Sequence, residues 1–248
     1  MSTGGASARP SFVETVSAVL ANEVRLLFLS PRGWVFLAAF LLLGGMFFVV
    51  GLETTGEASL RPTMGNLVVS LLFCVPLVTM RQLAEEARSG TLELVLTAPV
   101  RPWAVVLGKW LAAMLLCDVL LVLSLAWPLV LMKYGDPDPG LVITAYLGLW
   151  LCCAAFTAAG LFASSLTNEQ MVGGLLGVML LLPFWLVGSL VDRVPEGLAG
   201  VLRGLSLVDH LRGFARGLLD LGDVAWFLGF TFLFLFLAWR SLESRRWR

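Results

Sequence analysis

Few side chains in this 248-residue chain can do chemistry, and most of them stand alone. There is one histidine, His210, and there are four cysteines, Cys74, Cys117, Cys152 and Cys153. Each cysteine falls in an apolar run, and none has a metal-ligand spacing to the histidine. They read as small packing residues, and no metal site is expected. Asp118 lies about midway along another apolar run, where an isolated carboxylate is costly. Its own helix offers no cation, since the residues four away on either side are Met114 and Val122. A partner from another helix is expected, with Thr79, Thr144 and Thr157 as candidates. A substrate contact, a proton relay and a plain interhelical hydrogen bond all stay open as its role. Hydrolysis inside a membrane needs paired acids, a Ser/His pair or a zinc set, and no such constellation closes here. No G-x-x-x-x-G-K-[ST] occurs either; "LGKW", Leu107 to Trp110, lacks the glycine spacing and the Ser/Thr. The chain is expected to have no catalytic residues, to hydrolyse no ATP and to bind no cofactor of its own.

Charge concentrates in one place. Arg81, Glu85, Glu86, Arg88 and Glu93 lie between two long apolar runs. At roughly 2.5–3.5 kcal/mol for each charge at mid-membrane, burying these groups in lipid would cost about 12 kcal/mol or more. They belong in water or in protein. "RQLAEEAR" reads as a helix that Ser89-Gly90 breaks. "TLELVLT" restarts one, with Thr91 as its cap and Glu93 near the positive N-terminus. Leu92, Val95 and Leu96 form one apolar stripe, and Ala98-Pro99 ends it. Such a segment either docks on a partner or packs on its own bundle.

The elements that must position these groups are membrane spans. The chain is 58% hydrophobic and only 14% charged, against roughly 25% charged in a soluble domain. Six apolar runs are long enough to cross a bilayer: about Trp34–Leu52, Met64–Met80, Val105–Met132, Leu141–Leu166, Met171–Val191 and Val224–Trp239. The third is long enough to tilt or project. The fold class is therefore an all-α integral membrane protein. Residues 1–10 are expected to be disordered, and residues 11–248 to form a single domain.

Before the first span, Ser11 and Glu14 form a capping box. Phe12, Val16, Val19, Leu20, Val24, Leu27 and Phe28 then recur at helical spacing, with Glu14, Asn22, Glu23 and Arg25 between them. This predicts an amphipathic helix lying in the membrane interface over residues 11–30. An even number of spans puts both termini on one side. Counting Lys and Arg gives eleven on the side of the termini against six on the other, so the termini are expected in the cytosol. The long outer segment 192–223 carries Leu198, Val201, Leu202, Leu205, Val208, Leu211, Phe214, Leu218 and Leu219 at near-helical spacing. One or two short helices that either dip into the outer membrane surface or cap the bundle as a lid are expected there, with Arg212, Arg216 and Asp220 spaced for an i,i+4 ladder.

In the fifth span, Gly173-x-x-x-Gly177 suits close helix packing, and Pro183 frees a carbonyl. The plain reading of these glycines is packing within one copy. Ala154, Ala155, Ala158 and Ala159 in the fourth span read as internal packing. Trp34, Trp103, Trp226 and Trp239, near span ends, read as interface residues. The formal net charge of zero gives no reason to expect nucleic-acid binding.

"AEEARSGTLELVLTAPVRPWAVVLGKWLAA" closely resembles the signature of the membrane (permease) subunits of ABC type-2 transporters. The matching positions are Glu85, Glu86, Gly90, Thr91, Glu93, Leu94, Pro99, Gly108 and Lys109. Ser206, His210, Phe214, Gly217, Asp220 and Asp223 resemble the pattern before the last span in the gliding-motility and nitrous-oxide-reductase-maturation branch. The resemblance implies an ABC transporter permease, a homodimer or a pair with a homologue, in a bacterial inner membrane. It implies a separate cytosolic ATPase that holds the ATP and Mg, with the segment around Glu85–Pro99 as the coupling helix. It also implies that the second and fifth spans, the latter with Gly173, Gly177 and Pro183, face the dimer axis and the pathway. Export of an unknown substrate is then expected. A membrane component that transmits ATPase strokes to an envelope or motility complex, and a secondary transporter, remain as rivals.

Overall fold

The computed structural model describes residues 11–55, 61–91, 100–134, 138–191 and 195–245. The 1–10 tail and residues 92–99 of the segment expected to couple, with Glu93, Leu94 and Pro99, lie outside them. Among the described residues every regular element is a helix, and six helical stretches are long and apolar enough to cross a membrane.

Helix α1 (Phe12–Leu29) opens with the expected capping box. Glu14 N donates to Ser11 Oγ at 3.2 Å, and Ser11 N donates to Glu14 Oε2 at 2.7 Å. The first span is α2 (Pro31–Thr55). The second is α3 (Arg61–Thr79), continued after a turn at Met80 by α4 (Arg81–Ser89). Gly90 ends α4 in the left-handed conformation at φ 74°, where a side chain would be strained.

The long third run is not one helix. It breaks at Leu125 into α5 (Pro102–Ser124) and α6 (Ala126–Tyr134). Pro128 has no N–H to give to the Ser124 carbonyl four residues back. The Tyr146 hydroxyl donates to that carbonyl instead, at 2.9 Å. The Ser124 carbonyl is thus not orphaned where lipid offers no donor.

The fourth span, α7 (Pro139–Ser165), starts at Asp138, whose carboxylate accepts from Gly140 N at 2.9 Å. It is the most enclosed of the six. Ala154, Ala155, Ala158 and Ala159 are all buried, so neighbouring helices come close to its axis. The fifth span is α8 (Gln170–Leu190). Two short helices, α9 (Glu196–Leu205) and α10 (Leu207–Ala215), then cap the end of the bundle away from the termini. The last span is α11 (Leu221–Arg245). Ser241 Oγ of α11 donates to Ser165 O at 3.2 Å, and Arg245 Nη1 donates to Asn168 Oδ1 at 2.8 Å. The last helix therefore clasps the turn that joins α7 to α8.

Candidate functional site

The charged stretch between the second and third spans is built around one buried ammonium. Lys109 of α5 has a side chain only 2% exposed. It donates to Glu86 Oε1 of α4 at 2.7 Å and to Glu23 Oε1 of α1. Gly108, next to it, lets α1 cross close by, because a Cβ there would meet Val19 Cβ at 2.8 Å and Val16 O at 3.1 Å. The Gly-Lys pair thus works as a unit: the glycine admits the helix and the lysine fastens it. Glu23, read from its spacing as part of the polar face of α1, is instead buried on the inner face. A carboxylate buried there is tolerated because an ammonium meets it.

Helix α4 is aimed by two further groups. Gln82 Nε2 donates to Lys109 O at 2.9 Å. Met80, at the N-cap position of α4, makes no side-chain cap. Ser164 of α7 takes that role: its Oγ accepts from Leu83 N at 3.1 Å and Ala84 N at 3.0 Å, and donates to Met80 O at 2.8 Å. Borrowing a cap from another helix satisfies the orphan donors and fixes the direction of α4. Glu85 accepts from Arg81 Nε at 2.8 Å on the outer side of the helix. Thr91 Oγ1 is 2.8 Å from Ser89 Oγ, just past the Gly90 turn. Glu85, Glu86, Gly90 and Thr91 therefore lie on one arm, from which the undescribed 92–99 segment departs.

Asp118 does not meet the expected threonines. The Thr79 hydroxyl donates to Val75 O, that of Thr144 lies within 3.1 Å of Phe214 O, and that of Thr157 donates to Cys153 O. Its partner is the Trp150 indole of α7, which donates to Oδ1 at 2.9 Å. A buried threonine satisfies itself on its own helix, whereas an indole N–H cannot, so the tryptophan was the better candidate.

The fifth-span glycines face inward. A Cβ on Gly173 would lie 3.3 Å from Met80 O, and one on Gly177 would lie 2.9 Å from Pro76 Cβ. They seat α8 against α3 within the chain. Pro183 is exposed on α8.

At the opposite end, α10 is held at both termini. Ser206 Oγ caps Asp209 N at 3.2 Å and lies 2.7 Å from where a Cβ on Gly188 would be. Phe214 is buried against Gly148. The expected Arg212–Arg216–Asp220 ladder does not form. The helix ends at Ala215 and Gly217 turns the chain at φ 82°, so the three residues share no helix. Arg212 pairs instead with Asp209, at 2.8 Å, and Asp220 accepts from Gly222 N at 2.8 Å. His210 stacks on Trp226 at 4.6 Å between ring centroids, and its Nδ1 lies 2.6 Å from Asp223 Oδ1. Trp226 also donates to Gly204 O at 2.8 Å. It thus clasps α9 and α10 to α11 and is not simply an interface residue.

Among the described residues no group of His, Cys, Asp and Glu is placed to hold a metal. The family described as ABC-2 type transporter matches residues 34–208. Heme exporter protein B of Rhodobacter capsulatus is 32% identical over 187 residues, which is 73% of this chain and 84% of that protein.

Proposed function

The chain belongs to the ABC-2 type transporter family, and on that premise we propose that it is a permease subunit driven by a separate cytosolic ATPase. It is a multi-pass membrane protein, placed by this reading in a bacterial inner membrane with both termini in the cytosol. The observation that carries the coupling is the Glu23–Lys109–Glu86 knot. It joins the interface helix α1, the arm α4 and the third span through a single buried cation. A force applied beyond Gly90 would reach α1 and α5 through this one cation, which contacts a carboxylate on each of α1 and α4. The ATPase, holding ATP and Mg, would seat on the segment that includes Glu93, Leu94 and Pro99, and a second permease copy or a homologue would complete the pathway.

The relative's name makes haem the first cargo to try for export, and the motif around His210 is the ground for the finer assignment to the gliding-motility and nitrous-oxide-reductase-maturation branch. The experiment is co-purification. The intact chain should bring down a Walker-containing ATPase, and Glu93→Arg should release it while the permease still elutes as a monodisperse species. An ATPase that stays bound to Glu93→Arg would refute the coupling assignment. ATP turnover in liposomes that no cargo stimulates would favour force transmission to an envelope complex over export.

A further inference from the structure

The Asp118–Trp150 pair sits on the outside of the bundle. Trp150 is 41% exposed and Asp118 is half-buried. Leu115, Asp118 and Val122 share one face of α5, and Ile143, Leu147 and Trp150 share one face of α7. The two helices run side by side in opposite directions. Trp110 donates to Ala154 O, Trp150 to Asp118 Oδ1 and Tyr146 to Ser124 O. The exposed faces meet at Asp118 and Trp150 along a seam that runs about 21 Å from Trp110 to Ser124, at 1.5 Å per residue.

The seam is apolar except at its centre. Asp118 stands close to the middle of the Pro102–Lys133 span, far from the headgroups on either side. Among the described residues its one hydrogen bond comes from the Trp150 indole, so Oδ2 has no donor. A carboxylate at this depth is costly in lipid, and such groups almost always face protein and pair with a cation or a donor. This one faces outward from the chain. Its surroundings call for a cover other than lipid.

The chain does not supply that cover. Its six apolar runs long enough to cross a bilayer are already placed in the bundle. A second copy fails on charge. Of the six runs only the third holds any Lys, Arg or His, and that residue, Lys109, lies near one end and is engaged with Glu23 and Glu86. A two-fold contact at this seam would also set Asp118 against Asp118. The charge that complements the seam comes from another sequence.

We infer that the α5–α7 seam docks a transmembrane helix of a different membrane protein, one that brings a Lys or Arg near its own middle to Asp118. Nothing in this depends on export or on the ATPase, because a permease for any cargo presents the same carboxylate.

The test is photocrosslinking of the full chain in its own membranes, with benzoylphenylalanine in place of Val122, which is 64% exposed and one turn from Asp118. The crosslinked peptide is then sequenced. It should be a membrane-length apolar segment of another protein with Lys or Arg near its middle. Asp118→Asn keeps an acceptor for the Trp150 indole, and so keeps the fold, but should lower this adduct about tenfold, the loss of ~1.4 kcal/mol of pairing. Asp118→Glu should retain it. Adducts on a second copy of this chain, on lipid alone or on a helix with no basic residue would overturn the inference. So would the absence of any protein adduct, or a yield that Asp118→Asn leaves unchanged.

Discussion

Replacing Lys109 by methionine tests the central knot most directly. At an effective dielectric of about 20, unit charges 2.7 Å apart, the Lys109–Glu86 separation, attract by about 6 kcal/mol. Drying each of the three ions costs several kcal/mol, so the intact knot contributes little net stability. Removing the cation is a different operation. Lys109→Met strands two carboxylates on each other, with Glu86 Oε2 already buried and without a hydrogen-bond partner among the described residues. Breaking a buried ion pair in this way costs roughly 3–5 kcal/mol. Lys109→Met with Glu23→Gln and Glu86→Gln removes all three charges and should recover most of the loss. Thermal unfolding in detergent reads stability, and hydrogen exchange in α1 reads whether that helix has come away. The expected order is wild type, then the triple variant, then Lys109→Met, with fast exchange in α1 only in the last. A single variant within ~0.5 kcal/mol of wild type, or a triple variant no better than the single, would refute the account.

Three further outcomes follow from the packing. Ser164→Ala removes the borrowed cap of α4 and should cost about 2 kcal/mol, with exchange accelerated at the Leu83 and Ala84 amides. Tyr146→Phe leaves the Ser124 carbonyl without the donor that replaces Pro128, and should cost about 1–2 kcal/mol by thermal unfolding; an unchanged midpoint would show that the carbonyl finds another donor. Gly160→Ala would set a methyl 2.0 Å from Thr79 Oγ1 and should destabilise by about 1–3 kcal/mol. Adding Thr79→Ala should relieve most of that, a non-additivity that a double-mutant cycle measures.

The spans, the capping box at Ser11 and the break at Gly90 were legible because each is written in adjacent residues. Apolar length, a hydrogen-bonding pair three apart and a glycine after a helix are local signals. Lys109 was visible as half of a Gly-Lys motif, but its partners were not, since Glu23 lies 86 residues away and looks like any polar-face acid. Ser164 gave no signal, because a serine in an apolar run usually bonds to its own helix. The break in the third span was present in Pro128, yet the length of the run suggested a tilted helix. The ladder at Arg212 failed for a local reason that Gly217 carried openly. For Gly173 and Gly177 the spacing announced close packing without naming the neighbour, which depends on how the helices assemble.

The knot also has a history in time. Glu23 leaves the ribosome 86 residues before Lys109, which at ~5–20 residues per second is an interval of about 4–17 s. Until the third span arrives, α1 has no cation to fasten to. Glu86 waits for the same residue over a shorter interval. The ion pair that seats the first helix therefore cannot form before the third has been made, and a chain whose third span is misplaced leaves both acids without their cation.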